Sequence, residues 1–208
     1  MLTLHHNPMS CSLASLFALE EASAPFSVVT VDLAAGEQTT AAYLAINPKG
    51  RAPALRTERG VLTETPAILT YVAQRFPQAA LLPLHDGFEH ARVQSFMSYL
   101  CSTVHVAHAH RMRGYRWVDA EDTAALQAMQ RKVPENMAAC FELIERELLA
   151  GPWVLGERYS VADPYLFTVT RWLAADGVDA ARFPRVQAHA ARMAARPAIA
   201  RALARQVP

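Results

Sequence analysis

Apolar and polar positions change period several times along the chain. Leu2 and Leu4 alternate with polar neighbours as far as His6, which is a strand period. Leu13, Leu16, Phe17 and Ala18 then recur at helical spacing and predict a helix over 13–21, closed by Pro25. Phe26 to Val31 is β-branched and strand-like. Two strands joined by a helix pair in parallel, so the chain opens with a βαβ unit. Residues 34–45 carry no clear period and are read as a loop or irregular helix. Pro53 opens a strand over 54–57, and Glu58-Arg59-Gly60 turns it into a second strand over 61–63, a hairpin. Thr65 is then expected as an N-cap with Pro66 at the first helical position, and Pro77 stops that helix. The order so far is βαβ, then ββα.

Residues 80–87 contain Pro83 and Gly87 and no period, and are expected to be a linker. Everything beyond reads as helix. One long helix is expected over 88–115. A second runs over 121–149, with Pro134 expected to kink or break it. A third starts at Ser160-Val161-Ala162-Asp163, a capping-box-like pattern, and is apolar all round, so it should be central. Two short Ala/Arg-rich helices, 183–195 and 198–205, should lie outside. The expected architecture is α+β: a βαβ-ββα domain over 1–79, the linker 80–87, and an all-helical domain over 88–208.

Composition narrows the function classes. Of 208 residues, 52% are hydrophobic and 19% charged, which marks a globular chain. The net charge is +1 and the cations are spread along helices, so no nucleic-acid partner is expected. No apolar run approaches the roughly 18 residues of a membrane span, and the first residues lack the cationic head of a secretory leader. Cys11, Cys101 and Cys140 are odd in number and widely spaced, which argues for free thiols and a cytoplasmic location.

The chemistry centres on Asn7-Pro8-Met9-Ser10-Cys11-Ser12-Leu13. Cys11 falls where a strand hands over to a helix. Backbone N–H groups and the positive end of the helix dipole point there, which should lower a thiol's pKa. Such a place suits a nucleophile or the thiolate of a small-molecule thiol; the competing reading is a small buried core residue. His5 and His6 are adjacent on a strand and face opposite ways, so one should be solvated and the other packed near Cys11. Cys101, His105, His108 and Met112 follow an i, i+4, i+7, i+11 spacing and share one helix face. Imidazole and sulfur are soft-metal ligands, yet the expectation here is an active-site wall and no metal. His110 should point elsewhere and be exposed.

Five motifs in order carry a family resemblance. They are Pro8-x-x-Cys11-Ser12-Leu13-Ala14, Asn47-Pro48-Lys49-Gly50-x-x-Pro53-Ala54-Leu55, Leu62-Thr63-Glu64-x-x-Ala67-Ile68, Gly156-x-x-x-Ser160-Val161-Ala162-Asp163 and Tyr165-Leu166-Phe167-Thr168. Over essentially its whole length the chain resembles a cytosolic glutathione S-transferase, most of all the bacterial beta class. The resemblance implies a thioredoxin-like first domain with Pro53 as a cis-proline, and a homodimer that uses glutathione as co-substrate in detoxification. Cys11 falls on the cysteine beside the glutathione sulfur, and Ala52 on the residue whose backbone pairs with the tripeptide. Glu64 and Thr65 fall on the pair that holds the γ-glutamyl end, and His105 on a histidine reaching the active site. The catalytic pair is thus Cys11 and His105. Met9, Ser10, His108, Met112 and Tyr115, with Arg113 and Trp117 beside them, should line the second-substrate pocket. The chain differs from the pattern at His6, where cysteine-type members usually carry Tyr, and at Ala34-Ala35-Gly36, where a cation is common.

The leading expectation is conjugation of the glutathione thiolate to electrophilic small molecules. One alternative is a glutathione-dependent thiol–disulfide reductase or peroxidase with Cys11 as nucleophile. The other is a non-enzymatic module binding hydrophobic ligands or a partner on the same fold.

Overall fold

The computed structural model describes residues 1–205. Strand β1 (Leu2–His6) pairs in parallel with β2 (Phe26–Thr30), Leu2 opposite Phe26 and His6 opposite Thr30. The crossover between them is helix α1 (Ser12–Glu21). β3 (Ala54–Thr57) runs antiparallel to β1 and forms a hairpin with β4 (Gly60–Thr63), giving the order β2-β1-β3-β4. The irregular stretch after β2 holds a short 3-10 turn and the one-turn helix α2 (Ala41–Leu44). Helix α3 (Thr65–Arg75) completes the unit.

β1 is central and covered on both faces, and this corrects the reading of its two histidines. Both are buried. His5 lies against Tyr43 beside α2, ring centroids 6.0 Å apart, while His6 accepts or donates at Ser12 Oγ, 2.8 Å away. A strand sandwiched between layers has no solvated side, so alternation puts each histidine in a different interior.

The helical half begins with α4 (Gly87–Tyr99), N-capped by Asp86, and continues through a π-helical turn, Leu100–Val104, into α5 (His105–Arg113). The expected single regular helix is therefore interrupted in its hydrogen-bond pattern. In the π turn the His105 N–H bonds the Leu100 carbonyl, five residues back, so Cys101 and His105 are not stacked as in a regular α-helix. α6 (Thr123–Leu143) stays helical straight through Pro134, where a kink or break was expected. The Pro134 ring packs by Gly177, whose φ is +75°; a Cβ there would lie 3.3 Å from the proline Cγ. A second π turn, Ile144–Leu148, ends that segment.

Helix α7 (Ala162–Thr170) is central, as its all-round apolarity predicts: every residue from Ala162 to Val169 is buried. α8 (Pro184–Ala194) and α9 (Pro197–Ala204) follow. α9 is less peripheral than its composition suggests. It packs on α1, burying Ala198, Ile199 and Ala202. Arg201 and Arg205 meet the buried Glu20 of α1, and Arg196 meets Glu21. α1 is enclosed along almost its whole length, because α3, α7 and α9 all pack on it. The stretch read as a linker is also anchored. Leu81 and Leu82 are buried, and the Leu81 carbonyl accepts the Val161 N–H at 2.9 Å.

Candidate active site

The loop from β1 to α1 is knotted by its own small polar groups. Asn7 N–H donates to Ser12 Oγ (2.9 Å), Asn7 Nδ2 to the Val31 carbonyl (3.0 Å), and Met9 N–H to Asn7 Oδ1 (3.0 Å). Ser10 Oγ lies 2.7 Å from Ser12 Oγ and donates to the Asn7 carbonyl. These bonds fix the entry to α1 and set Cys11 at its N-cap.

Cys11 is buried, 7% exposed, with Sγ 3.7 Å from the Ala52 carbonyl. Its thiol is pushed up to about 11 by burial, with the Thr65 side chain as the largest influence in the other direction and Glu64 adding to the rise. This overturns the expectation of an easily ionised thiol. Desolvation of a thiolate outweighs a helix terminus when no cation stands beside it.

Ala52–Pro53 is a cis peptide. The loop before it is pinned by Tyr43 Oη (2.9 Å) and Asn47 Nδ2 (2.5 Å), both donating to the Arg51 carbonyl. Across the cleft edge Glu64 has φ +71°, a conformation unusual for a residue with a side chain. It is held next to Lys49, whose ammonium lies 2.7 Å from Glu64 Oε1 and donates to Thr63 Oγ1 at 2.9 Å. Nothing in the sequence pattern tied Lys49 to Glu64; β4 brings them together.

The structure makes Glu64, and not Thr65, the N-cap of α3. Thr65 is the first helical residue. Its hydroxyl caps nothing: it is buried, makes no well-formed hydrogen bond, and interacts with the Cys11 thiol. Buried hydroxyls are nearly always bonded, so this one is unusual.

His105 is half-buried on α5 against Trp172, ring centroids 5.0 Å apart. Burial pushes its imidazole down to about 4, helped by His108, Arg116 and Arg51, while Glu64 acts weakly the other way. His105 is therefore neutral in ordinary buffers and electrostatically in touch with both the Arg51 loop and Glu64. No hydrogen bond joins it to Cys11.

His108 differs most from its expected place as a pocket lining. Its Nδ1 lies 2.9 and 2.8 Å from the two oxygens of Asp176, a carboxylate with no solvent exposure. Its ring stacks on Trp172 at 4.1 Å and 18°. Arg111 Nε also stands 3.0 Å from Asp176. Met9, Met112, Tyr115 and Trp117 are exposed. The Arg113 guanidinium donates to the Tyr115 hydroxyl at 3.3 Å. Trp117 packs edge-on with His110 at 4.5 Å, so His110 is engaged and only part-exposed. Sequence reasoning missed Asp176 and Trp172, since neither lies near the motifs. Among the described residues no group of three or more His, Cys, Asp or Glu has an arrangement fit for a metal ion, and no helix is long and apolar enough to cross a membrane.

Residues 1–74 match the family model "Glutathione S-transferase, N-terminal domain", and residues 110–192 match "Glutathione S-transferase, C-terminal domain". The chain belongs to the glutathione S-transferase family. It is 31% identical over 202 residues to glutathione S-transferase GstA of Escherichia coli O157:H7, covering 96% of each chain. Two solved structures are closely similar. A glutathione transferase homologue from Sulfitobacter, with bound glutathione, has 50% identity and a TM-score of 0.95, covering 99% of this chain and 98% of that one. The beta-class glutathione S-transferase of Sphingomonas chungbukensis has 34% identity and a TM-score of 0.85, covering 98% of each. Further relatives bear the names maleylacetoacetate isomerase and maleylpyruvate isomerase. The thioredoxin-like first half, the helical second half and the beta-class resemblance expected from the motifs all stand.

Proposed function

We propose that this glutathione S-transferase joins the glutathione thiolate to electrophilic small molecules, as a cytoplasmic homodimeric detoxification enzyme built of domains 1–79 and 88–208. The observation that carries the reading is the buried Thr65 hydroxyl at the N-terminus of α3, next to Glu64, which makes no well-formed hydrogen bond and interacts with the Cys11 thiol. A γ-glutamyl group bears a carboxylate and an ammonium. The carboxylate suits the Thr65 hydroxyl and the helix N-terminus, and the ammonium suits Glu64. Ala52, ahead of cis-Pro53, offers backbone to the tripeptide, and Cys11 and His105 stand at its thiol. Met9, Ser10, His108, Met112 and Tyr115 border the second substrate.

The state of Cys11 favours transfer over disulfide reduction. A thiol held near 11 is almost wholly protonated at neutral pH and serves as a hydrogen-bond donor to another sulfur. Glutathione titration by calorimetry, followed by conjugation to a nitro-substituted aryl halide, tests the reading. Reversible binding and halide release support it. A reductant-sensitive glutathione adduct on Cys11 replaces it with the redox reading, and absence of binding replaces it with a ligand-binding module.

A further inference from the structure

The glutathione reading leaves Lys49 without a task, although its ammonium already sits on the carboxylate assigned to the ligand's ammonium. We infer that Lys49 stands in for the α-ammonium of glutathione at Glu64, and so that the protein also takes tripeptide thiols lacking that ammonium, deaminated glutathione being the simplest, as thiol co-substrates. The inference rests on the proposed placement of the γ-glutamyl end at Glu64 and Thr65.

The pair is set by backbone on both sides. Asn47 is buried and organises the loop that carries Lys49. Its Oδ1 accepts the Lys49 N–H at 3.2 Å, its carbonyl accepts the Gly50 N–H at 3.0 Å, and its Nδ2 donates to the Arg51 carbonyl. Gly50 turns the chain with φ +60°, and a Cβ there would lie 3.2 Å from the Gln38 carbonyl oxygen. The same loop leads straight into cis-Pro53, and the β3–β4 hairpin lays Thr63 opposite Ala54. Lys49 and Glu64 are therefore neighbours through the hairpin. The ammonium lies 2.7 Å from Glu64 Oε1 and 2.9 Å from Thr63 Oγ1. Glu64 is presented from its own side by φ +71°. Among the described residues no second cation stands within ion-pair distance of Glu64.

A site that bonds a ligand group usually rejects the analogue lacking it, because a polar group of the protein is then left unpaired. Two features remove that penalty here. The Glu64 side chain is 55% exposed, so water reaches it, and Lys49 supplies a cation of the same kind as the missing one. With glutathione bound, two ammonium groups meet one carboxylate. Their mutual repulsion cancels part of the ligand's attraction. With the deaminated thiol, Lys49 keeps Glu64 to itself. The γ-glutamyl carboxylate is common to both thiols, so the contact to Thr65 and the α3 N-terminus is unchanged. Lys49 thus sets how strongly the protein prefers one thiol over the other, through binding and not through the chemical step.

The test measures conjugation to a nitro-substituted aryl halide with glutathione and with deaminated glutathione. The unaltered protein should use the deaminated thiol with KM raised by less than about tenfold and kcat little moved. Lys49→Gln should widen the KM ratio of the two thiols by about fivefold, the upper scale of an exposed ion pair. Lys49→Arg should keep the ratio of the unaltered protein. A ratio that Lys49→Gln leaves alone or narrows overturns the inference, as does an unaltered protein that fails to turn over the deaminated thiol while using glutathione. Glu64→Gln separates this inference from the reading beneath it. That variant should bring the ratio close to one, since neither ammonium then has a carboxylate to meet. A preference for glutathione that survives Glu64→Gln overturns the γ-glutamyl placement and the inference together.

Discussion

Asp163 and His189 meet at 3.1 Å with neither side chain exposed to solvent. Asp163 also accepts the Ser160 N–H at 2.7 Å and the Val154 N–H at 2.8 Å, so it joins the start of α7, the preceding loop and α8. A capping box alone is worth about 1 kcal/mol. This carboxylate is a buried hub, and its removal strands four donors, the Ser160 hydroxyl at 3.3 Å included. Asp163→Ala should therefore destabilise by about 3–5 kcal/mol, read from urea midpoints. A loss near that of an ordinary cap would show that the hub is not coupled.

Acid should weaken the fold through its buried imidazoles. Burial pushes His6 down to about 4, against 6.5 when unfolded. Between those values the unfolded chain binds a proton that the folded one refuses, so stability falls as pH drops through 6.5 toward 4. For His6 alone the full loss is roughly 3 kcal/mol. His5 and His105 act in the same direction. His6→Asn should flatten the acid limb of a stability–pH curve, and an unchanged slope would refute the assignment.

Thr65 should be better for function than for folding. Its buried hydroxyl makes no well-formed hydrogen bond, which costs stability in the free protein. Thr65→Val keeps the shape and should leave the melting temperature equal or higher. Glutathione affinity should fall about tenfold or more, as for a lost bond to a charged group. Unchanged affinity by calorimetry would remove Thr65 from the site.

The Cys11 thiol should be sluggish at neutral pH. With its thiol held near 11, alkylation at pH 7.5 should run well below the rate of free glutathione and climb steeply as pH approaches 11. Cys11→Ala should keep most transfer activity. Rapid labelling at neutral pH would restore the nucleophile reading.

Glu64 combines a positive φ with an exposed ion pair to Lys49. Exposed pairs contribute little to stability. Glu64→Gln should thus leave the melting temperature within about a degree while weakening glutathione binding about tenfold. Glu64→Gly should raise stability through relief of the backbone yet lose the same affinity. If Gln binds as well as Glu, the ammonium is held elsewhere.

Much of this molecule was legible from its order of residues. Periodicity placed all four strands and every major helix to within a few residues, because those periods are local consequences of which side chains face a core. Helix and strand edges followed Pro25, Pro53, Pro66 and Pro77, whose effects reach only one or two residues. Errors arose where a local rule met a packed neighbour. Thr65 has the composition of an N-cap, but the sharp turn at Glu64 took that position. Pro134 should break a helix, but α6 passes through it, packed by Gly177.

The sequence alone determined the element order, the strand-to-helix position of Cys11 and the motifs that mark the family. Only the tertiary structure decided which groups carry charge and which hold one another. Cys11 sits at a helix start, yet burial keeps its proton. His108 stands on the helix face the spacing predicted, yet its partner Asp176 is 68 residues away. Backbone preference is set by neighbours along the chain, whereas desolvation and pairing depend on what the fold lays over a side chain.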